Sequence, residues 1–197
     1  PGASPPTIPP PPQDGGPGPS PPPPPKPCNE RLGERAVALP DPAELERFGR
    51  RGPHRIATKS LRIGAFTNRL TYPTDAPKPW PVVIFGHGLG ALPGNYGTTI
   101  DHLASHGFVV VAPNSASLFD GRDMAQAALF MQQQNEDPES EWYRALGKVG
   151  MSGHSMGGGG TCRGANRVPD LVSALVPIHA AAQQPPEVDA PVLALAG

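Results

Sequence analysis

The sequence has few of the residues that mark several large classes of protein. Only two of its 197 residues are cysteines, Cys28 and Cys162, which are too few for a disulfide framework and lack the spacing of a metal site. The 16 basic and 17 acidic residues leave a net charge of −1, so bulk electrostatics favours neither nucleic acid nor an anionic membrane surface. The longest apolar runs, such as residues 108–113, are far too short to cross a bilayer. We therefore expect no nucleic-acid partner and no integral membrane segment, and nothing implies a metal or a cofactor.

Proline and glycine are abundant, but their distribution is uneven. The chain holds 30 Pro and 24 Gly, and residues 1–27 alone hold 15 of the Pro. Apart from proline, the only apolar side chains among these residues are Ala3 and Ile8, so nothing there can form a core. We predict a Pro-rich disordered tail or linker over residues 1–28. Residues 19–27 also fit a proline-rich ligand that would bind in an aromatic groove of a protein partner. This is the weaker of the two interpretations.

Residues 29–53 are charged and are predicted to form a peripheral lead-in. Within them, Asp41 and Pro42 have the pattern of a helix N-cap followed by proline at the first helical position. A short helix is therefore expected to reach about Phe48, and Gly49 ends it.

From residue 54 to residue 197, strand and helix signals alternate. The continuous apolar run at residues 81–85 is typical of a strand that is buried on both faces, as in parallel sheets. The pattern predicts an α/β domain over residues 54–197, with a mostly parallel central sheet and helices on both faces. The first two strands are expected to form an antiparallel pair at a sheet edge. Strands are predicted at residues 58–66, 69–72, 81–85, 107–112, 146–152, 171–178 and 191–196, and helices at residues 98–106, 122–134 and 155–166.

Residues 153–157, GHSMG, match the pattern G-x-S-x-G. They lie between a predicted strand and a predicted helix of small residues, which is the setting of a nucleophile elbow. The turn forces Ser155 into a strained backbone conformation, and the glycines on both sides leave room for it. The Ser155 hydroxyl would stand at the N-terminus of the helix, whose dipole stabilises negative charge. We predict that Ser155 is a catalytic nucleophile rather than an incidental serine in a Gly-rich turn.

A second glycine-rich loop, GHGLG at residues 86–90, follows the strand at residues 81–85. In α/β-hydrolases the loop after this strand supplies one backbone N–H of the oxyanion hole, and the residue after the nucleophile supplies the other. The predicted donors are therefore the N–H groups of Leu89 and Met156, which would stabilise the transition state. The alternative is a plain Gly turn between strand and helix. His87 is expected to shape the loop rather than to act in catalysis.

Residues 150–160, GMSGHSMGGGG, resemble the nucleophile elbow of bacterial polyester hydrolases and cutinases, including polyethylene terephthalate hydrolases. The segment LASHGFVV at residues 103–110 is similar to the same family, as is the lead-in at residues 40–53. The loop HGLG at residues 87–90 looks instead like that of platelet-activating-factor acetylhydrolases, which share LASHGF. The resemblance covers residues 39–197 and implies an α/β-hydrolase fold with serine esterase activity.

Two departures from the polyester hydrolases concern the substrate. That family has an aromatic residue in the oxyanion loop, where this sequence has Leu89. It also has a Trp after the strand that follows the elbow helix, where this sequence reads PIHAA at residues 177–181. Nothing in the sequence therefore clamps an aromatic polyester, and a lipid-type or pigment-type esterase, like the acetylhydrolases or chlorophyllases, is the alternative. A wide apolar cleft lined by Leu89, Leu92 and Met156 would indicate such an esterase.

A serine hydrolase also needs a base and a carboxylate that orients the base, in the chain order Ser, Asp or Glu, His. Residues 192–196 resemble the strand that precedes the family's catalytic Asp. We therefore expect the acid and the base beyond Gly197, in a domain whose C-terminal part is missing from the sequence. Within the chain, His179 is the one histidine after Ser155 and thus the alternative base.

The other titratable side chains have simpler expected roles. Asp189 lies before its predicted strand, on the wrong edge of the sheet for catalysis. His102 and His106 are expected to face solvent on their helix. Asp120 and Asp123 are expected to cap the helix that follows them.

Two classes of function follow. The leading hypothesis is a serine hydrolase that cleaves carboxylic esters through an acyl-enzyme on Ser155. The alternative is a catalytically incomplete binding protein that works through its Pro-rich tail, and an Asp soon after Gly197 with a later His would decide for the enzyme. The sequence starts at Pro1 and contains no signal peptide, which leaves the compartment open. Secretion is compatible with a Pro-rich segment ahead of a cutinase-like domain.

Overall fold

The structure, a computed structural model, describes residues 41–182 and 187–195. The predicted tail over residues 1–28 and the part of the lead-in before Asp41 lie outside these residues. Within the two described ranges, no helix is both long and apolar enough to span a membrane.

The short helix predicted in the lead-in is present as α1 (Pro42–Gly49). The Asp41 carboxylate caps it by accepting the backbone N–H of Ala43 at 2.9 Å, and Pro42 occupies the first helical position. Every residue of α1 is exposed, so the helix contributes no side chain to the core.

Six strands form one mixed sheet. They are β1 (Ile56–Ile63), β2 (Phe66–Pro73), β3 (Trp80–Gly86), β4 (Val109–Ala112), β5 (Leu146–His154) and β6 (Val172–Ile178). Their order across the sheet is β1-β2-β4-β3-β5-β6. The pairs among β3 to β6 are parallel, whereas β1 and β2 pair antiparallel at one edge and β2 continues antiparallel onto β4. The predictions of a largely parallel sheet and of an antiparallel edge pair are therefore confirmed.

The strand predicted at residues 191–196 is interrupted. The described residues of this segment lie parallel to β6 but form only two isolated bridges, Leu175 with Val192 and Ile178 with Leu195. The reason lies in Pro177 of β6, which has no N–H to donate to the neighbouring segment. The bonds on either side of this gap are made: Leu193 N–H donates to the Leu175 carbonyl at 2.9 Å, and Leu195 N–H donates to the Pro177 carbonyl at 3.0 Å.

Three helices pack on the sheet, α2 (Gly97–Ser105) on one face and α3 (Arg122–Glu136) with α4 (Met156–Arg167) on the other. Because side chains alternate between faces along a strand, neighbouring residues of β3 enter different clusters. Phe85 belongs to one core cluster with Ile100 of α2, whereas Ile84 belongs to the other, which contains Met124 of α3 and Ala165 of α4. The prediction of helices on both faces is confirmed.

Asp120 caps the start of α3. Its carboxylate accepts the backbone N–H of Arg122 at 2.9 Å and the guanidinium of the same residue at 2.7 Å. Partial burial raises the pKa of Asp120, but the hydrogen bonds and the positive charge of Arg122 outweigh it and lower the pKa below the ordinary value. Asp123 does not cap α3 as expected, because it lies inside the first turn of the helix, where its charge complements the helix dipole.

His102 and His106 do not face solvent as expected. Both are half-buried; His102 lies in the last turn of α2 and His106 just after its end, with the two ring centres 4.8 Å apart. The Nε2 atom of His102 is 2.7 Å from the Phe48 carbonyl, and that of His106 is 3.0 Å from the Arg50 carbonyl. The two rings therefore attach the lead-in to the end of α2, because they hydrogen-bond to carbonyl groups at and just after the end of α1.

Candidate active site

The strand–turn–helix predicted around Ser155 is present. β5 ends at His154, and α4 begins at Met156. Ser155 lies between them, and its backbone has φ of 52° and ψ of −110°. This is a strained conformation for a residue other than glycine, and it persists only where the surroundings enforce it. The Ser155 N–H donates to the Ile178 carbonyl at 3.0 Å, and the Ser155 carbonyl accepts the N–H groups of Gly159 and Ala181, both at 2.9 Å. The end of β6 and the segment after it therefore hold the turn in place.

Glycine at the elbow is required by close approach of backbones. A Cβ on Gly157 would lie 2.2 Å from the backbone of Gly86 at the end of β3. A Cβ on Gly153 would lie 2.6 Å from the backbone of Gly157. Both distances are far below any real carbon contact, so α4 reaches the ends of β3 and β5 only because these side chains are absent.

The loop after β3 contacts the elbow directly. The His87 carbonyl accepts the N–H of Gly157 at 3.1 Å, which joins this loop to the first turn of α4. The Gly88 N–H, in the same peptide unit as that carbonyl, donates to the Tyr96 hydroxyl at 3.1 Å. Hydrogen bonds on both sides therefore fix the plane of the peptide between His87 and Gly88.

The next peptide unit presents the Leu89 N–H. The Gly88 carbonyl accepts the Ala91 N–H at 3.1 Å and lies 2.9 Å from Nδ1 of the buried His87 ring. In a trans peptide the N–H and C=O groups point in opposite directions, so the Leu89 N–H points away from these partners. Leu89 N–H donates to no other residue in the part of the chain that the structure describes. An oriented N–H without a protein acceptor is what an oxyanion hole needs.

Met156 is the first residue of α4, and its side chain is buried in the core. The first N–H groups of a helix have no acceptor within the helix, and the dipole there favours negative charge. The Met156 N–H is therefore of the same kind as the Leu89 N–H, a donor beside Ser155.

Among the described residues, no histidine is hydrogen-bonded to the Ser155 hydroxyl. Nδ1 of His154 is 2.7 Å from the Tyr96 hydroxyl instead. His179 is exposed, has a φ of 43°, and its ring centre lies 6.0 Å from that of His154. The acidic residues that follow Ser155 in the sequence are exposed, and in the described ranges none is paired with a histidine. They are Asp170, Glu187 and Asp189.

The hydrogen bond between Tyr96 and His154 was not predicted from the sequence. They are 58 residues apart, and no motif or spacing joins them. Tyr96 ends a short 3-10 helix (Pro93–Tyr96), and its half-buried ring packs 5.3 Å from that of Phe85. Only the parallel pairing of β3 with β5 brings the loop after one strand next to the end of the other.

Two cavities lined by described residues lie near the site, and neither is the wide apolar cleft, lined by Leu89, Leu92 and Met156, that was expected of a lipid-type esterase. An apolar groove of about 470 Å³ opens on the α2 side of the sheet, between Leu103, Phe108 and Val176, and contains no residue of the elbow or of the Leu89 loop. A cavity of about 540 Å³ is lined by Leu92 together with polar residues such as Lys59 and Asn68, and it includes neither Leu89 nor Met156.

A mixed sheet covered on both faces, with a strained serine between β5 and α4 and a glycine loop after β3, defines an α/β-hydrolase. Within that class the chain belongs to the PET hydrolase-like family, whose model matches residues 34–197. The recognition of this family from the elbow and the LASHGF segment is thereby confirmed.

Two curated relatives illustrate the similarity. Cutinase est1 of Thermobifida alba is 29% identical over 149 residues, which cover 71% of this chain and 50% of the relative. The bis(hydroxyethyl) terephthalate hydrolase of Streptomyces coelicolor is 30% identical over 143 residues, which cover 69% of this chain and 46% of the relative. The chain thus spans about half the length of the curated relatives it matches.

Proposed function

We propose that this chain carries the nucleophile of a serine hydrolase that cleaves carboxylic esters. The observation that carries the proposal is the strained Ser155 at the N-terminus of α4, close to the loop at Gly88, where the Leu89 N–H has no acceptor among the described residues. The names of the two relatives, a cutinase and a terephthalate ester hydrolase, support the same reaction class.

In the proposed reaction the Ser155 oxygen attacks the ester carbonyl while its proton passes to a base. The N–H groups of Leu89 and Met156 stabilise the oxyanion of the tetrahedral intermediate. Collapse of this intermediate breaks the ester C–O bond, and the alcohol leaves with the proton from the base. Water then attacks the acyl-enzyme in the same way, which releases the acid and restores the Ser155 hydroxyl.

We place the base and its orienting carboxylate beyond Gly197. The support is the chain order of the triad in this fold and the direction of residues 191–195, which run parallel to β6. Because the carboxyl ends of parallel strands meet at one edge of a sheet, a residue following this segment would emerge on the same edge as Ser155. His179 remains the alternative base, and His179→Ala is the variant that tests it.

The proposed substrates are esters whose acyl group meets an aliphatic rather than an aromatic loop residue. Leu89 is 79% exposed beside the elbow, and Leu92 is 59% exposed a few residues on. A panel of p-nitrophenyl esters of increasing chain length, together with bis(hydroxyethyl) terephthalate, would separate a lipid-type from a polyester-type preference.

The test of the proposed function is the Ser155→Ala variant of the full-length protein. We expect loss of labelling by a fluorophosphonate probe and a fall in p-nitrophenyl ester turnover of at least about 10⁴-fold. The matched control is Ser117→Ala, an exposed serine outside the elbow, which should keep both activities. If the wild type shows no Ser155-dependent labelling or turnover, the enzyme hypothesis fails and a binding protein becomes the better interpretation.

A further inference from the structure

Tyr96 connects the two halves of the proposed site. Its hydroxyl accepts the N–H of Gly88 at 3.1 Å and lies 2.7 Å from Nδ1 of His154, the residue before the nucleophile. A Cβ on Gly88 would be 2.9 Å from the Tyr96 hydroxyl and 3.6 Å from the Ser155 Cβ. The Gly88 backbone is therefore held between the tyrosine and the nucleophile.

The direction of one hydrogen bond at the Tyr96 hydroxyl is fixed by chemistry. The Gly88 N–H can only donate, so it uses a lone pair of the phenolic oxygen. The same hydroxyl group also hydrogen-bonds to Nδ1 of His154, and the tautomer of the ring decides which of the two groups donates there. In either tautomer the hydroxyl joins the Gly88 amide to the residue before Ser155.

From this geometry we infer that Tyr96 is a positioning residue for the oxyanion hole, an inference that rests on the proposed function. The Leu89 N–H is oriented through two successive peptide units, and the first of these is held by Gly157 on one side and by Tyr96 on the other. Tyr96 is the one side chain from outside the loop that holds this peptide unit within the described residues. It acts through Gly88 and touches no reacting atom.

Loss of the Tyr96 hydroxyl should make the loop at Gly88 less rigid, while the rest of the proposed site keeps its side chains in place. In Tyr96→Phe the ring can still pack on Phe85, but the Gly88 N–H and Nδ1 of His154 lose their partner. Complete removal of an oxyanion donor costs about 10²–10³-fold in kcat. A donor that is present but less well oriented should cost less, so we expect kcat to fall about 10-fold. The KM should stay within about twofold, because a correctly placed oxyanion donor acts mainly in the transition state.

The experiment compares Tyr96→Phe with Tyr143→Phe in the full-length protein. Tyr143 is a partly exposed tyrosine whose ring faces Arg144 and lies outside the proposed site, so its variant should match wild type. Three quantities are measured: kcat and KM for p-nitrophenyl acetate, the rate of fluorophosphonate labelling, and the hydrogen-exchange rate of the Gly88 amide by NMR. We expect the lower kcat to be matched by slower labelling, because the phosphoryl oxygen uses the same donors. We also expect faster Gly88 exchange, with a thermal midpoint close to that of wild type.

The outcomes separate this inference from the proposed function. Wild-type kcat in Tyr96→Phe overturns the positioning role, whatever the exchange rate shows. A lower kcat with unchanged Gly88 exchange also overturns it, because the effect would not pass through that peptide. A wild-type protein without Ser155-dependent turnover refutes the proposed function and, with it, the catalytic role given to Tyr96.

Discussion

The closest backbone contact at the elbow makes Gly157→Ala the most demanding test of the structural reasoning. The new Cβ would lie 2.2 Å from the Gly86 backbone, whereas ordinary van der Waals contact begins at 3.4 Å, so the two backbones must separate by 1.2 Å. Overpacking of this kind costs about 1–3 kcal/mol. The shift would also break the hydrogen bond from Gly157 to the His87 carbonyl, worth about 1 kcal/mol. The total of about 2–4 kcal/mol corresponds to a Tm lowered by about 4–16 °C in a domain of this size.

The assay for Gly157→Ala is thermal unfolding together with fluorophosphonate labelling of Ser155. Labelling should slow by more than about 10-fold, because a shift of 1 Å at a reacting group is costly. The control is Gly97→Ala at the first position of α2, where a Cβ meets nothing within 4 Å and the backbone is already helical. That variant should be as stable as wild type or more stable by up to about 1 kcal/mol. A Gly157→Ala protein with wild-type Tm and labelling would refute the close packing of β3 against α4.

Two further predictions concern stability. Deleting residues 1–27 should leave Tm within about 2 °C of wild type in thermal unfolding, because these residues offer only two apolar side chains besides proline; a larger drop would show that they contribute to the core. Asp120→Asn should destabilise by less than about 1 kcal/mol at pH 7, the usual size of an exposed ion pair. Since the folded-state pKa of Asp120 is lowered, its stabilisation is present above the unfolded pKa of about 3.9 and is lost as the pH falls through the lower folded value. The Tm difference from wild type should therefore shrink below pH 4, and a difference that grows there would contradict the assignment; Asp170→Asn, at an exposed carboxylate outside α3, is the control.

Local signals predicted the elements of this fold. The Asp41–Pro42 pair marks the start of α1, the apolar run in β3 indicates a buried parallel strand, and GHSMG sets the turn between β5 and α4. Each of these depends on residues close in sequence, whose backbone preferences act before any tertiary contact forms. That is why the elements were predictable although their bounds moved by a few residues.

The features that sequence reasoning missed depend on distant partners. Tyr96 acquires its role from His154, and His102 acquires its role from a carbonyl 54 residues earlier. The break in the segment after residue 190 has the same origin: Pro177 is visible in the sequence, but its missing donor matters only once the two segments are known to be neighbours. Local propensity carries no information about such pairs.

The attachment of the lead-in determines how the domain would sit on a solid support. α2 runs back from the loop after β3, so its C-terminal end, where Ser105 accepts the Gly52 N–H at 2.8 Å, lies at the amino edge of the parallel strands. Ser155 lies at the opposite, carboxyl edge. A bead, fusion partner or surface linked through the lead-in would thus be joined to the domain at the edge remote from Ser155. Immobilisation from this end would leave the elbow facing away from the support.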